Sequence, residues 1–379
     1  MKISKLKLAT IIGTRPEIIK LAETIKACDK FFDHKLVHTG QNWDYSLNEV
    51  FFEDLNIRKP DFFLEAVGGN LGETVGNIIS KSYDLLSKQK PDAILILGDT
   101  NSALSSISAK RLKIPIFHME AGNRCFDENL PEEINRKIVD HISDVNLPYS
   151  SNARQNLLNE GIKVEHTFVT GSPMYETIQN NIDRIKSSEV LEKLGLNKNQ
   201  YILVSAHREE NVDNEENFKS LTNALNKIAD SYGMPMVFSV HPRTKQRLEK
   251  NKIKLHENIK MLKPFGFFDY NKLQLDSFCV LSDSGTLAEE SAILGFSGVS
   301  LRTSTERQEA IDTGSFVIGG ITEESISQSI ELSRAMVKNK NKINLPLDYS
   351  CDNVSQKIVK IIQSYTYIVN NKVWNKTKL

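Results

Sequence analysis

Residues 8–20 read LATIIGTRPEIIK, and this stretch decides the fold class. Its first five residues form an apolar run of strand length, Gly13 permits a sharp turn, and Pro16 suits the first turn of a helix. A buried strand that leads at once into a helix is the building unit of α/β proteins. The amides of such a turn, with Arg15 beside them and Lys20 one turn on, favour a bound anion. A plain strand–helix turn with solvated charges is the alternative interpretation.

Short apolar runs alternate with longer amphipathic stretches along the rest of the chain. The predicted strands are Leu8–Ile12, Lys35–Thr39, Ala93–Leu97, Pro115–His118, Val145–Pro148, Thr167–Thr170, Tyr201–Ser205, Met236–Val240, Phe278–Ser282, Gly298–Leu301 and Ser315–Ile318. Helical periodicity fills most of the intervals, as in residues 72–90 and 214–231. This alternation predicts an α/β protein with two doubly wound, Rossmann-like domains, each a parallel sheet covered by helices on both faces.

The chain has 379 residues, too many for one ordinary hydrophobic core. We place the domain boundary near Gly171–Pro173, which predicts an N-terminal domain of residues 1–171 and a C-terminal domain of residues 172–351. After Pro346 the sequence predicts an amphipathic helix, and we expect residues 352–379 to complete the first domain. Because no low-complexity linker separates the two halves, we expect an active site in the cleft between the domains.

Composition excludes several classes of function. Lys plus Arg and Asp plus Glu number 48 each, whereas a nucleic-acid binder or a polybasic membrane anchor needs a surplus of positive charge. No apolar run has the length of a signal sequence or a membrane span, so a cytoplasmic enzyme is expected. The four cysteines lack C-x-x-C pairing and no H-E-x-x-H occurs, which predicts a reducing compartment and no metal site.

Chemically unusual residues follow seven of the predicted strands. These segments are Gly13-Thr14-Arg15-Pro16-Glu17, Gly40-Gln41, Gly98-Asp99-Thr100, Glu120-Ala121-Gly122, His207-Arg208-Glu209-Glu210-Asn211, His241-Pro242-Arg243 and Asp283-Ser284-Gly285-Thr286. In open α/β sheets, ligands bind beyond the carboxyl ends of the strands. The recurrence therefore predicts a functional site at these ends.

The segment 283–290, DSGTLAEE, ends a strand in small residues and then begins a helix. Backbone amides at Ser284 and Gly285 would cradle a diphosphate, and Glu290 is placed to accept hydrogen bonds from ribose hydroxyls. Alternatively, Thr286 only caps the helix and Glu289 completes a capping box. No G-x-G-x-x-G or Walker A pattern is present, so dinucleotide and ATP sites lose their usual support and we expect no organic cofactor.

Three carboxylates, Asp99, Glu120 and Glu132, follow strands of the first half. A carboxylate at a sheet rim can be desolvated enough for acid–base catalysis near neutral pH. For any one of them alone the structural explanation is favoured, as with Asp99 capping the helix that starts at Thr100 or Glu132 as a first-turn partner of the helix dipole. The same region also holds three arginines, and the combination favours a site: Arg15, Arg124 and Arg136.

Two of the eight histidines end predicted strands close to arginines. His207 precedes an arginine directly, and His241 lies two residues before Arg243. We predict that His207 is catalytic or contacts a phosphate group. The other histidines are ordinary surface or core residues in this interpretation.

These motifs resemble the non-hydrolysing UDP-N-acetylglucosamine 2-epimerase family. The resemblance spans about residues 8–320, in order, and is carried by Gly13-Thr14-Arg15-Pro16-Glu17, Gly98-Asp99-Thr100, His118-Met119-Glu120-Ala121-Gly122, Pro131-Glu132-Glu133-Ile134-Asn135-Arg136, His207-Arg208-Glu209-Glu210-Asn211, Asp283-Ser284-Gly285 and Thr305-Glu306-Arg307-Gln308-Glu309-Ala310. It implies a fold like that of the B-type glycosyltransferases, with UDP held mainly by the second domain.

The resemblance also implies roles for individual residues. It implies catalysis by Asp99, Glu120, Glu132 and His207. It implies a binding set for the UDP-sugar of Arg15, Lys20, Ser284, Gly285, Glu290 and Arg307, with Phe265 and Tyr270 in the segment around the uracil. Arg124, Arg136, His241, Arg243 and Thr286 complete the predicted binding set. Thr286 stands where many relatives have a second glycine. We also expect a homodimer.

Two segments depart from the better-known members of the family. Gln41 is followed by Asn42-Trp43-Asp44-Tyr45, and the Glu-Ala-Gly segment is followed by Asn123-Arg124-Cys125-Phe126-Asp127. Both variants resemble the subgroup that converts the UDP-linked 2-acetamido-2,6-dideoxy-L-talose into UDP-N-acetyl-L-fucosamine, here expected to serve capsule or O-antigen synthesis. Interconversion of UDP-N-acetylglucosamine and UDP-N-acetylmannosamine is the first alternative. A B-type glycosyltransferase, a hydrolysing epimerase and a non-enzymatic sugar-nucleotide sensor are lesser ones.

Overall fold

The computed structural model describes residues 4–40, 49–338 and 345–376, without the side chains of Glu209, Val337 and Lys338. The chain forms two compact units. Unit 1 comprises Met1–Gln179 and Leu347–Leu379, and unit 2 comprises Asn180–Pro346. The segment from Gln41 to Tyr45, one of the two departures from the better-known members, lies outside the described residues.

Unit 1 is built on a six-stranded parallel sheet with the order β3-β2-β1-β4-β5-β6. Its strands are β1 Lys7–Ile12, β2 Asp33–His38, β3 Phe62–Phe63, β4 Ala93–Leu97, β5 Ile116–Met119 and β6 Val145–Leu147. Its helices are α1 Arg15–Phe31, α2 Glu49–Asp54, α3 Leu71–Gln89, α4 Ser105–Arg111, α5 Pro131–Ile142, α6 Ser151–Asn159 and α7 Met174–Asn180. The boundary between the two units falls at the end of α7. Short 3-10 helices lie at Asn101–Leu104, Val164–His166 and Leu347–Tyr349.

Unit 2 is built on a second six-stranded parallel sheet with the order β12-β11-β10-β7-β8-β9. Its strands are β7 Ile202–Ser205, β8 Met236–Ser239, β9 Ile259–Leu262, β10 Cys279–Ser282, β11 Gly298–Ser300 and β12 Val317–Ile318. Its helices are α8 Ile182–Lys186, α9 Val190–Leu194, α10 Glu209–Val212, α11 Glu215–Tyr232, α12 Pro242–Lys250, α13 Phe267–Asp276, α14 Leu287–Leu294, α15 Gln308–Asp312 and α16 Glu323–Lys338.

The last helix, α17 Val354–Lys372, belongs to unit 1 and packs against α1. The backbone N–H of Ser355, in the first turn of α17, donates to Glu176 Oε2 at 2.9 Å. This hydrogen bond fastens the start of α17 to α7. The chain thus returns to its first unit after it has completed the second.

The predicted fold class is confirmed by these two parallel sheets. The predicted strand Thr167–Thr170 is wrong, because Thr167 forms only an isolated bridge with Asn146. Two edge strands, β3 and β9, were not predicted. The first has only two residues, and the middle residues of the second, Lys260 and Met261, are both exposed, so neither shows the continuous apolar run of a central strand.

The strand order fixes where a ligand would bind in each sheet. In unit 1, the chain leaves β1 towards one edge of the sheet and leaves β4 towards the other edge. In unit 2, it leaves β7 and β10 towards opposite edges in the same way. At such a switch point the loops diverge and leave a crevice at the carboxyl ends of the strands. The segments after these four strands begin at Gly13, Gly98, Ala206 and Asp283. No helix among the described residues is long and apolar enough to span a membrane.

Candidate active site

The turn between β1 and α1 is closed by a carboxylate from its own helix. Glu17 Oε2 accepts hydrogen bonds from the backbone N–H groups of Gly13 at 3.0 Å and Thr14 at 2.8 Å, and from the Thr14 hydroxyl at 2.8 Å. The amides that the sequence suggested for a ligand anion therefore already have a partner, the Glu17 carboxyl. Burial raises the pKa of Glu17 to about 7, although these hydrogen bonds act in the opposite direction.

Glu120 follows β5 and carries a buried ion pair. Lys20 Nζ donates to Glu120 Oε2 at 2.6 Å, and both side chains are more than nine-tenths buried. The backbone of Glu120 has a φ of +63°, a left-handed conformation that costs energy in a non-glycine residue. A methyl group placed on Gly98 would lie 3.9 Å from Glu120 Oε2. The carboxylate therefore lies directly beside the end of β4.

Asp99, at the end of β4, is held by α5. Arg136 Nη2 lies 2.6 Å from Asp99 Oδ2, and the Asn135 side-chain amide donates to the Asp99 carbonyl at 2.9 Å. The Asp99 side chain keeps 18% of its exposure. Glu132, in the first turn of the same helix, is half-buried. The structure thus brings Asp99 and Glu120 to neighbouring strand ends and places Glu132 on the helix that holds Asp99.

Glu133, next in sequence to the predicted Glu132, organises this corner and was missed. It is fully buried and accepts from Arg136 Nη1 at 2.9 Å and from the backbone N–H groups of Cys125 and Phe126 at 3.2 Å. It therefore fixes both the guanidinium that holds Asp99 and the loop after Glu120. Its position as the third residue of a helix that begins with proline resembles an ordinary helix start, and that similarity concealed its role.

Arg124 was predicted to contact substrate, but its side chain is fully buried. Its guanidinium donates to Asp140 at 2.8 Å and to both carboxylate oxygens of Glu160 at 2.7 Å. Burial alone would raise the pKa of Asp140, but neighbouring His118 and Arg124 lower it below its ordinary value. The geometry indicates that Arg124 shapes the loop rather than binds a ligand, because no face of the guanidinium reaches the surface.

In unit 2, Asp283 at the end of β10 holds the segment that follows β7. Its carboxylate accepts from the backbone N–H groups of His207 at 2.9 Å and Arg208 at 3.0 Å, and from the side-chain amide of Asn211 at 3.1 Å. His207 Nδ1 lies 3.3 Å from Asp283 Oδ1. The carboxylate is completely buried, whereas the His207 side chain is 31% exposed. Asp283 therefore fixes the orientation of the imidazole.

His241 is the N-cap residue of α12 and lies near His207. Its Nδ1 accepts from the backbone N–H of Arg243 at 3.3 Å, so part of its role is that of a helix cap. The two imidazole rings are 6.4 Å apart, centroid to centroid. The Arg243 side chain forms an ion pair with Asp213. The strand ends of β7 and β8 thus present two histidines side by side.

The turn after β10 has the small-residue character that the sequence predicted. The hydroxyls of Ser284 and Thr286 are 2.9 Å apart, and a side chain at Gly285 would come within 2.8 Å of a Glu306 oxygen. Glu290 accepts from Gln274 Nε2 at 2.6 Å. The alternative capping box is not formed, since Thr286 makes no side-chain cap.

Three more of the predicted residues, Arg307, Phe265 and Tyr270, belong to unit 2. Arg307 is buried, with Nη2 3.4 Å from Glu289 Oε2. Phe265 and Tyr270 are partly buried against a core cluster beneath α13 and α14. Among the described residues, no group of three or more His, Cys, Asp or Glu side chains is arranged to hold a metal ion.

The model of one protein family, UDP-N-acetylglucosamine 2-epimerase, matches residues 26–363. The structure of a UDP-N-acetylglucosamine 2-epimerase from Rickettsia bellii is 45% identical, covers 98% of this chain and 100% of its own, and superposes with a TM-score of 0.90. The chain belongs to the UDP-N-acetylglucosamine 2-epimerase family. It is a UDP-sugar 2-epimerase, an isomerase, with the GT-B-like fold of that family.

Two further relatives show how far the epimerase family extends. A Methanocaldococcus jannaschii UDP-GlcNAc 2-epimerase, crystallised in complex with UDP-GlcNAc and UDP, is 34% identical over 94% of this chain and 99% of its own, with a TM-score of 0.89. A UDP-2,3-diacetamido-2,3-dideoxy-D-glucuronate 2-epimerase from Pseudomonas aeruginosa is 35% identical over 86% of this chain and 92% of its own. Neither name supports the L-fucosamine subgroup specifically.

Proposed function

We propose that this epimerase interconverts UDP-N-acetylglucosamine and UDP-N-acetylmannosamine by inversion at C2. The names of the Rickettsia and Methanocaldococcus relatives support this substrate over the 6-deoxy-L sugar that the sequence first suggested. The observation that carries the proposal is the pair of carboxylates at neighbouring strand ends of unit 1. Glu120 and Asp99 are each held by a cation, Lys20 and Arg136, at 2.6 Å.

The chemistry requires the nucleotide to leave before the C2 hydrogen is removed. That hydrogen is not acidic, because C2 bears an amide nitrogen and is not next to a carbonyl carbon. Departure of UDP breaks the C1–O bond, and the electron pair leaves on the β-phosphate oxygen. A carboxylate then takes the C2 proton, and the C–H electron pair forms the C1=C2 bond of a 2-acetamido glycal.

The return steps invert the centre. A proton is delivered to the opposite face of C2, and the β-phosphate oxygen bonds again to C1. We assign Asp99, Glu120 and Glu132 to proton transfer and to stabilisation of positive charge at C1. Arg15 and Lys20 of unit 1, and His207 of unit 2, stabilise the departing diphosphate.

We assign the nucleotide to unit 2. The turn from Ser284 to Thr286 offers small hydroxyl side chains and a glycine, at which any side chain would have to displace the Glu306 carboxylate. The Glu290 carboxylate is placed one turn into α14, where it receives the Gln274 amide and can also accept from ribose hydroxyls. Phe265 and Tyr270 supply aromatic surface for the uracil ring.

A second substrate, the UDP-linked 2-acetamido-2,6-dideoxy-L-talose, is favoured by the loop after Glu120. Phe126 in that loop is 68% exposed and has a φ of +58°, held by the Glu133 carboxylate. The exposed phenyl ring offers apolar surface that a substrate methyl group can cover. It would suit the methyl group of a 6-deoxy sugar, and capsule or O-antigen synthesis would follow only from this second assignment.

The purified protein should be incubated in heavy water with each UDP-sugar alone, and the products followed by NMR. We expect deuterium at C2 and formation of the epimer still linked to UDP. Epimer without deuterium would refute the elimination route, and no epimer from either sugar would refute the proposed function. Free sugar would indicate a hydrolysing epimerase, and turnover that needs an acceptor would indicate a glycosyltransferase.

Matched variants connect the activity to unit 1. Glu120→Gln should lower kcat by about 100-fold or more, because general acid–base groups contribute about 100- to 10,000-fold. Glu128→Gln is the control, since that side chain is 72% exposed and pairs with Lys137. We also propose a cytoplasmic homodimer, which light scattering tests as a mass of twice 42.9 kDa.

A further inference from the structure

Glu17 joins two strand-end turns that are far apart in sequence. Through Oε2 it holds the turn after β1, where Gly13 and Thr14 donate to it. Through Oε1 it accepts a very short hydrogen bond from the hydroxyl of Ser102, in the segment after β4. Ser102 in turn lies 2.6 Å, hydroxyl to hydroxyl, from Thr100. One side chain thus connects the two turns at the switch point of the sheet.

A comparison with α3 shows that this exceeds ordinary helix capping. Glu73 occupies the same third position in its helix and accepts from the backbone N–H of Gly69 at 2.7 Å. Glu73 is exposed, and its hydrogen bonds in the described residues stay within its own turn. Glu17 is 1% exposed and reaches across to a second strand end. Capping alone would not require either feature.

The two turns carry different parts of the proposed chemistry. The first turn of α1 presents Arg15, with Lys20 one turn further on, and these cations face the departing diphosphate in our proposal. The segment after β4 presents Asp99, a proton-transfer group. A displacement of about 1 Å between such groups is enough to lower a catalytic rate about 100-fold.

We propose that Glu17 is a positioning residue, which keeps the turn that carries Arg15 in fixed register with the turn that carries Asp99. This proposal rests on the proposed epimerase function. The Glu17 side chain does not need its negative charge for this role. A glutamine can accept from the two backbone amides with its carbonyl and donate to the Ser102 hydroxyl with its NH2, while Ser102 donates to Thr100.

The test compares Glu17→Ala, Glu17→Gln and Ser102→Ala with Glu73→Ala as the matched control. In assays with the sugar that the wild-type protein turns over, Glu17→Ala should lower kcat by about 10- to 100-fold with KM changed less than about 3-fold, because orientation acts in the transition state. Glu17→Gln should keep at least about a third of wild-type kcat. Ser102→Ala should lower kcat by about 3- to 10-fold, since it removes only one arm of the connection.

The outcomes separate the assignment from the function. A folded Glu17→Ala protein with wild-type kcat overturns the positioning role, as does Glu17→Gln that is as slow as Glu17→Ala. An equal loss in Glu73→Ala would show that capping alone matters. If Glu17→Ala does not fold, Ser102→Ala decides, and wild-type kcat in that variant refutes the proposal. A wild-type protein that epimerises neither sugar removes the proposed function and this assignment together.

Discussion

The raised pKa of Glu17 predicts a dependence of unit 1 stability on pH that a single substitution should remove. In the unfolded chain this carboxyl has the ordinary value of 4.5, and burial raises the folded value to about 7. Below pH about 4.5 the group is protonated in both states and adds no penalty. As pH rises towards 7, only the unfolded chain loses the proton, so the stability of the folded state declines.

The size of the effect follows from the difference between the two pKa values. Each unit of pKa corresponds to about 1.4 kcal/mol, so a shift from 4.5 to about 7 amounts to about 3 kcal/mol at full ionisation. Other groups also titrate in this range. They are present in both the wild type and Glu17→Gln, so their contributions cancel in the difference between the two unfolding free energies. The unfolding free energy of the variant minus that of the wild type should therefore increase by about 2 to 3 kcal/mol between pH about 5 and about 8.

Tryptophan fluorescence during urea unfolding can follow unit 1 separately. The sequence of unit 2 contains no tryptophan, whereas Trp374 belongs to unit 1 and lies 5.1 Å, ring centroid to Nζ, from Lys110. Glu73→Gln is the matched control, because it makes the same substitution at the exposed third position of another helix. Parallel curves for wild type and Glu17→Gln would refute the reasoning, since the native carboxyl would then ionise at its ordinary value.

Three other substitutions test separate features. Arg124→Leu should destabilise unit 1 by about 3–5 kcal/mol in urea unfolding, because the buried Asp140 carboxylate loses the guanidinium that pairs with it. A raised KM with wild-type stability would instead support the substrate-binding role. Asp283→Asn should lower kcat by about 10-fold or more in steady-state assays, because the charge that orients His207 is lost; unchanged kcat would show that the backbone contacts suffice. Gly122→Ala should destabilise unit 1 by about 3 kcal/mol, because Gly122 has a φ of +80° and the new methyl carbon would lie 2.2 Å from a backbone carbonyl oxygen of α6. A wild-type melting curve for this variant would contradict the close approach of α6 to that turn.

The sequence predicted the central strands and the positions of the polar residues after them. Central strands such as β4, AILIL, are buried along their whole length, and continuous burial leaves an apolar run that can be read directly. Edge strands leave no such run. β9 is exposed in the middle, so its existence depends on pairing with β8, and its own four residues do not carry that information.

The direction of each polar side chain could not be predicted, because it depends on backbone conformation. Glu120 and Gly122 both adopt positive φ, and these two reversals decide which residues of the turn face the strand end. A positive φ is expected for glycine but not for glutamate. Arg124 consequently points inward to Asp140, although its position in the sequence is as close to the strand end as that of a ligand-binding residue.

The two units solve one electrostatic problem in the same way. Backbone amides at a switch point carry partial positive charge and attract an anion. In each unit a buried carboxylate of the protein occupies some of them: Glu17 on the turn after β1 and Asp283 on the segment after β7. Since those amides are already satisfied, our proposal assigns stabilisation of the departing diphosphate to side chains such as Lys20 and His207 and to the turn from Ser284 to Thr286. In that proposal, side chains rather than these backbone amides supply the positive charge that favours breaking of the C1–O bond.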